Sequence, residues 1–181
     1  ELIDAVIANI ERRGAEAIPI FGYPGAVATE RLLVHASGKA RADAMLGFFF
    51  NFAGPDSSGY LAKVDIPIIN LISLYGRSES EWRSSPMGLS FFEGTFNVAV
   101  PELAGTIAPT VVGSQEKLRD PDTGMTVVVR RPILPQVSMA VGRALKLAAL
   151  RSTANKDKRV AIVFYNYPAG KANIGASYLN V

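Results

Sequence analysis

Apolar residues recur along the chain at two spacings, one typical of helices and one typical of strands buried in a sheet. Leu2, Val6 and Ile10 share one helical face and predict a first helix that ends at Gly14. Residues 17–25 are predicted to form a short apolar strand, and residues 28–40 a helix that stops near Gly38. A strand followed by a turn and a helix is therefore expected early in the chain.

The same order is predicted again further along. Residues 42–58 are a nearly continuous apolar run that ends in a loop of Gly, Pro, Asp and Ser, as expected for a strand buried on both faces, and residues 66–74 repeat this pattern. A short helix after residue 78 and a second over residues 89–100 follow. This alternation predicts an α/β fold with three layers, α/β/α, around a mainly parallel sheet of the Rossmann-like or flavodoxin-like kind.

The middle of the chain departs from that order. Residues 106–114 and 124–132 flank a polar stretch that contains Asp-Thr-Gly, which predicts an inserted β-hairpin. A long helix over residues 135–153 follows, with Val137, Val141, Leu145 and Ala148 on one face. A last strand is predicted over residues 159–165. We expect residues 1–157 to form one α/β domain and residues 158–181 to be the strand and loop that begin the next α/β segment.

The amino-acid composition and charge argue against several classes of site and partner. The 181 residues are 49% hydrophobic and include no cysteine, which excludes thiolate metal sites and thiol nucleophiles. No apolar run reaches the roughly 18 residues of a membrane span, and the acidic first residues do not resemble a signal peptide, so we expect a cytoplasmic protein. The net charge of +3 comes from scattered lysines and arginines rather than a basic stripe, so no nucleic-acid partner is expected.

Searches for catalytic motifs are mostly negative. The segment GKANIG, residues 170–175, lacks the Lys-Ser/Thr ending of a phosphate-binding P-loop, because Ala176 and Ser177 follow it. His35, the single histidine, lies in a helical pattern and is interpreted as a packed or surface residue rather than a ligand. No metal site is predicted.

Two carboxylates in the apolar stretch 89–105 are candidates for function. Glu93 lies among phenylalanines, so it is expected to face solvent, to pair with Arg77 or Arg83, or to be held for function. Glu102 follows Pro101 at a predicted helix end. The residues alone leave these alternatives open.

The last sixteen residues contain a second candidate site. Lys171 can act as a point charge and Asn173 can donate or accept hydrogen bonds, and amides at a following helix start would favour an anion. The alternative is an ordinary strand-to-helix turn with a capping asparagine.

Three motifs in this order resemble the large subunits of cobaltochelatase (CobN type) and magnesium chelatase (H subunit). The first is Trp-x-x-Ser-x-x-Gly-Leu at residues 82–89, the second Val-Ala-x-Pro-Glu-Leu-x-Gly at residues 98–105, and the third Pro-x-x-Lys-x-Asn-x-Gly at residues 168–175, followed by Tyr-Leu-Asn-Val. The resemblance extends over most of the chain.

The resemblance implies a segment of an enzyme complex that inserts a divalent metal into a tetrapyrrole. In that family the large subunit binds macrocycle and metal, while AAA+ and integrin-like subunits use ATP. Cobalt or magnesium is then the substrate ion, and no resident cofactor is expected in this segment. The chain is expected to be an internal fragment that is inactive by itself, since such subunits are far longer.

By motif match, the candidates for substrate binding are Glu93, Glu102, Lys171, Asn173 and Trp82. No catalytic residue is assigned, because the family's His-Gly-Thr-x-Glu motif does not occur in these residues. We favour cobalt insertion into a corrin in cobalamin biosynthesis. The alternatives are magnesium insertion into protoporphyrin, or a small-molecule-binding or scaffold α/β domain without catalysis.

Overall fold

A computed structural model describes residues 1–22, 25–49, 61 and 64–161, and all structural statements below concern these residues. In chain order the elements are α1 (Leu2–Glu11), α2 (Gly25–Leu33), β1 (Met45–Gly47), β2 (Ile68–Ser73), α3 (Glu79–Ser84), α4 (Phe91–Gly94), a π-helix (Thr95–Ala99), α5 (Val100–Leu103), β3 (Ile107–Arg119), β4 (Thr126–Pro132), α6 (Leu134–Ser152) and a 3-10 turn (Asn155–Asp157).

The four described strands form one sheet in the order β1-β2-β3-β4. β2 is parallel to β1 and to β3, while β4 is antiparallel to β3. The predicted hairpin is confirmed, although it does not stand apart, because the first half of β3 is part of the parallel sheet. Its turn is held by Asp120, whose carboxylate accepts hydrogen bonds from the amides of Asp122 (3.0 Å) and Thr123 (2.7 Å).

Helices cover both faces of the sheet, so the predicted three-layer α/β/α arrangement is confirmed. Because side chains alternate along a strand, β2 sends Ile69 and Leu71 to one core and Ile72 to the other. The first core is closed by α1 and α6, and the second by side chains from residues 82–98. Burial of each of these aliphatic side chains stabilises the folded state by about 1.5–3 kcal/mol relative to an exposed side chain.

Helix α6 matches the sequence pattern closely. Val137 and Val141 are fully buried, as the spacing predicts, and Leu145 packs at the edge of the same core. Ala140 and Ala144 complete the buried stripe. The part of the chain that the structure describes contains no helix long and apolar enough to cross a bilayer.

Several predicted elements differ in the structure. Residues 17–22 are not a strand: they pair with no described strand, Phe21 is 99% exposed, and Ile18 borders an open cavity of about 980 Å³. Helix α2 ends at Leu33, five residues before Gly38, so the exposed His35 lies in a turn closed by the bridge from Val34 to Ala40. The apolar character of residues 17–22 is not enough to form a strand, because no described strand lies beside them to pair with.

Two other predicted strands are only partly described. Of the described residues 42–49, Met45–Gly47 form a strand, and residues 50–58 lie outside the described part. Residues 159–161 are not in a strand, and 162–165 lie outside the described residues.

The chain divides into two compact units, Glu1–Arg151 and Ser152–Val181. The first contains the sheet and both cores. Of the second, the structure describes residues 152–161, with the 3-10 turn. The expected domain boundary at residue 157 stays a prediction.

Candidate functional site

The first two helices after β2, α3 and α4, each begin with a capping box. Ser78 caps α3 together with Glu81, and Ser90 caps α4 together with Glu93. In each, the serine hydroxyl accepts from the third amide of the helix and the glutamate accepts from the serine amide, which satisfies two otherwise unpaired donors. The capping box of Ser90 and Glu93 thus fixes the start of α4, which carries the neighbouring phenylalanines.

Glu93 is 2% exposed and accepts hydrogen bonds from three residues, Tyr75, Arg77 and Ser90, in two segments of the chain. Its Oε1 atom accepts from the Tyr75 amide (3.1 Å), and its Oε2 atom accepts from the Ser90 amide (2.9 Å) and the Ser90 hydroxyl (2.8 Å). Arg77 forms an ion pair with the same carboxylate and also donates to the carbonyl of Gly88 (3.0 Å). Of the alternatives left by the sequence, pairing with Arg77 is the one observed.

The pKa of Glu93 reflects these contacts. Burial acts to raise it, but the hydrogen bonds from Ser90 and Tyr75 and the charge of Arg77 together lower the pKa below its ordinary value. The group is therefore a carboxylate at neutral pH and unsuited to donate a proton there.

A second polar anchor is Asn70, in the middle of β2. Its side chain is fully buried; the Oδ1 atom accepts from the Phe49 amide (3.1 Å) and Nδ2 donates to the Asn97 carbonyl (2.6 Å). Asn97 lies in the π-helix, a wide helical turn that is often found beside functional sites. Asn70 therefore links Phe49, which follows β1, to the π-helix through two hydrogen bonds.

Residues held by the two anchors, Tyr75 by Glu93 and Phe49 and Asn97 by Asn70, line a cleft of about 730 Å³ that opens where β1 and β2 end. In open α/β sheets, ligands bind at the carboxyl ends of the parallel strands. The aromatic residues that line this cleft are Phe48, Phe49, Tyr75 and Phe92, and the polar ones include Ser73, Asn97, Gln115 and Arg130. Its lining suits a largely apolar ligand that also carries polar groups.

The residues proposed from the sequence lie elsewhere or outside the described part. Trp82 is half-buried against the second core, with the Arg83 guanidinium 5.3 Å from its ring centre. Glu102 is exposed on α5. None of Trp82, Glu93 and Glu102 lines the cleft, and Lys171 and Asn173 lie outside the described residues, so substrate binding by all five stays a prediction.

Sequence reasoning missed both the residues that line the cleft and the contacts that hold its walls in place. Asn70 carried a visible signal, since it is a lone amide inside an apolar strand, and Ser90 with Glu93 has the Ser-x-x-Glu spacing of a capping box. Ser73, Gln115 and Arg130 carried no such signal, because only the fold brings three separate strands together.

Among the described residues, no group of three His, Asp or Glu side chains is placed to hold a metal ion. The cleft offers aromatic surface and hydrogen-bond donors, and its described lining holds no pair of acid and base groups placed for proton transfer. Its arrangement can bind and orient a ligand.

Comparisons with known proteins support one family across the whole chain. The family model described as CobN/Magnesium Chelatase matches residues 1–181. The chain is 33% identical to the chloroplastic magnesium-chelatase subunit ChlH of Oryza sativa subsp. indica, over 98% of this chain and 13% of that protein. It is 28% identical to the aerobic cobaltochelatase subunit CobN of Sinorhizobium sp, over 96% of this chain and 14% of that protein.

A solved structure agrees with these matches. The fold is similar to that of the catalytic subunit of cobaltochelatase from Mycobacterium tuberculosis, with a TM-score of 0.72 and 28% identity over 92% of this chain and 14% of that one. The chain therefore spans about one seventh of the length of the relatives described here.

Proposed function

Because the chain belongs to the CobN/magnesium chelatase family, we propose that it is a tetrapyrrole-binding segment of the large subunit of an ATP-dependent metal chelatase. The favoured reaction is insertion of cobalt into a corrin ring. Magnesium insertion into a porphyrin is the second candidate, supported by the match to the rice magnesium-chelatase subunit.

The cleft at the ends of β1 and β2 is the observation that carries this proposal. A tetrapyrrole is a flat macrocycle with an apolar face and polar side chains at its rim, and the cleft offers aromatic side chains beside amide, hydroxyl and guanidinium groups. Aromatic side chains contribute large apolar contact areas and stack on flat partners. We infer that part of the ring lies against Phe48, Tyr75 and Phe92.

In this proposal the segment binds and orients the ring, and the other steps occur elsewhere in a cytoplasmic complex. Metal insertion requires bases that remove protons from the ring nitrogens. The described cleft has no such pair, so these bases would belong to other parts of the large subunit. ATP hydrolysis would belong to the AAA+ and integrin-like partner subunits, with the divalent ion entering as substrate.

Titration of the full-length protein tests the binding step. A free-base porphyrin and a cobalt-free corrin are added separately, and the change in the macrocycle's own absorbance is followed. Tyr75 lines the cleft, is 76% exposed and uses only its backbone amide in the Glu93 turn, so Tyr75→Ala should weaken binding with little effect on stability. A loss of roughly fivefold to tenfold is expected for one stacked aromatic ring.

Phe91→Ala is the matched control, since Phe91 is 91% exposed and does not line the cleft. Binding by the wild-type protein that falls with Tyr75→Ala and not with Phe91→Ala supports the proposal. Equal affinities for all three proteins would place the ring outside this cleft, and the ring type that binds more tightly would distinguish the cobalt from the magnesium reaction.

A further inference from the structure

We propose that one end of the cleft is a carboxylate-binding subsite formed by Arg130, Gln115 and Ser73, and that it recognises an acidic side chain of the macrocycle. The inference rests on the proposed function and deepens it. It assigns a specificity role to residues outside the three family-like motifs.

The sheet brings the three side chains to one face. Ser73 on β2 is opposite Gly113 on β3, and a Cβ atom built on Gly113 would lie 3.3 Å from the Ser73 hydroxyl, so both positions face the same side. Gln115 is two residues further along β3 and shares that face. Arg130 on β4 is directly opposite Gln115. All three line the cleft, on three adjacent strands.

Each of the three groups has hydrogen-bonding capacity that the described residues do not use. The Ser73 hydroxyl is buried and has no partner in the described part of the chain. The Gln115 carbonyl accepts from the Gly76 amide (2.9 Å), which fixes the side chain and leaves its NH2 group as the remaining donor. No ion pair joins Arg130 to a carboxylate among the described residues.

The neighbouring charges leave Arg130 available. Glu1 also borders the cleft, but its carboxylate accepts from Arg131 Nη1 (2.9 Å), so its charge is already paired. A planar guanidinium beside an amide NH2 and a hydroxyl matches the acceptor geometry of a carboxylate. A buried hydroxyl without a partner is disfavoured, and a ligand oxygen would satisfy it.

The test compares two ligands that differ only in charge. A free-base porphyrin with two propionate groups and its diamide are titrated into the full-length protein, into Arg130→Gln and into Arg119→Gln. Arg119 is exposed on the same hairpin, four residues from Gln115 and outside the cleft, so it controls for the loss of one positive charge.

The wild-type protein and Arg119→Gln should bind the dicarboxylate about tenfold more tightly than the diamide, as expected for charge-assisted hydrogen bonds. Arg130→Gln should remove that preference by weakening only the dicarboxylate, and Ser73→Ala should reduce it by a smaller factor. Equal binding of the two ligands by the wild-type protein would overturn the subsite and leave the ring-binding proposal standing. Binding of neither ligand would overturn both.

Discussion

The Glu93 carboxylate, in the turn that begins at Ser90, and the Ser73 hydroxyl, in the adjoining cleft, differ in how much of their hydrogen-bonding capacity is used. In the turn, both oxygens of Glu93 accept hydrogen bonds and its charge is paired with Arg77. In the cleft, the Ser73 hydroxyl has no partner among the described residues, and Arg130 has no described ion pair. A polar group whose hydrogen bonds are satisfied within the protein stabilises the protein's own conformation, whereas an unsatisfied group is available to a ligand.

The difference separates a candidate chosen from the sequence from residues that only the structure brings together. Glu93 lies between two family-like motifs, yet its contacts hold the segments after β2 in place. Ser73, Gln115 and Arg130 are part of no motif, yet they meet at the open edge of the sheet. We therefore expect substitutions in the turn to change stability first and substitutions in the cleft to change affinity first.

The largest effect is expected for Glu93→Ala. This substitution leaves Arg77 without its carboxylate partner and the amides of Tyr75 and Ser90 without their acceptor. Breaking a buried ion pair by removing one partner costs about 3–5 kcal/mol of unfolding free energy. Urea denaturation followed by circular dichroism measures the loss.

Glu79→Ala is the control for Glu93→Ala, because it breaks an exposed pair with Arg83 on α3. That pair is expected to contribute no more than about 1 kcal/mol. Equal losses for the two variants would contradict a structural role for the buried pair.

The next effect is expected for Asn70→Leu. This substitution removes both hydrogen bonds of the buried side-chain amide, so the Phe49 amide and the Asn97 carbonyl lose these partners. Each unsatisfied group is expected to lower the free energy of unfolding by about 1–3 kcal/mol. Because both partners border the cleft, macrocycle affinity should fall as well. Thermal denaturation and the porphyrin titration measure the two effects.

Asn9→Leu is the matched control. Asn9 is also buried, but its Oδ1 atom has no partner within the described residues, so an apolar replacement should be neutral or stabilising. If Asn9→Leu proved as costly as Asn70→Leu, the cost would follow from replacing any buried amide rather than from the two lost bonds.

A smaller and graded effect is expected from pH. The pKa of Glu93 is lowered in the folded state, so its contribution is complete above the ordinary glutamate pKa of 4.5 and is lost as the pH falls from there through the folded pKa. The stability difference between wild type and Glu93→Gln should be constant at neutral pH and narrow below about pH 4.5. A difference that widens on acidification would contradict a lowered pKa.

The smallest effect on stability is expected for Glu102→Gln. Glu102 is exposed, so its replacement should change the free energy of unfolding by less than about 0.5 kcal/mol. Metal-insertion activity of the full-length protein is measured alongside. Lost activity with unchanged stability would make Glu102 a binding residue outside the cleft, and unchanged activity would make it incidental.

The parts of the fold that could be predicted are those whose sequence pattern and tertiary partners agree. β2 has a continuous apolar run with strands on both sides, and α6 has a buried stripe at helical spacing. Residues 17–22 have a similar apolar run, but no described strand pairs with them. A strand requires a neighbour, which local composition does not show.

The candidate site was less predictable because it depends on contacts between distant residues. Nothing near Arg130 in the sequence shows that it lies opposite Gln115, with β3 alone between its strand and that of Ser73. The π-helix at Thr95–Ala99 was likewise expected as ordinary helix, since α and π turns have the same apolar pattern over five residues.

That wide turn makes the length of this segment as important as its composition. In an α-helix each residue rotates the chain by about 100° and advances it by about 1.5 Å. A π turn accommodates one extra residue in a helix, so deleting one residue between Thr95 and Ala99 would restore a regular turn and leave Pro101 close to its buried position. A one-residue gap here would thus change the position of the Asn97 carbonyl against Asn70, while the elements on either side keep their directions.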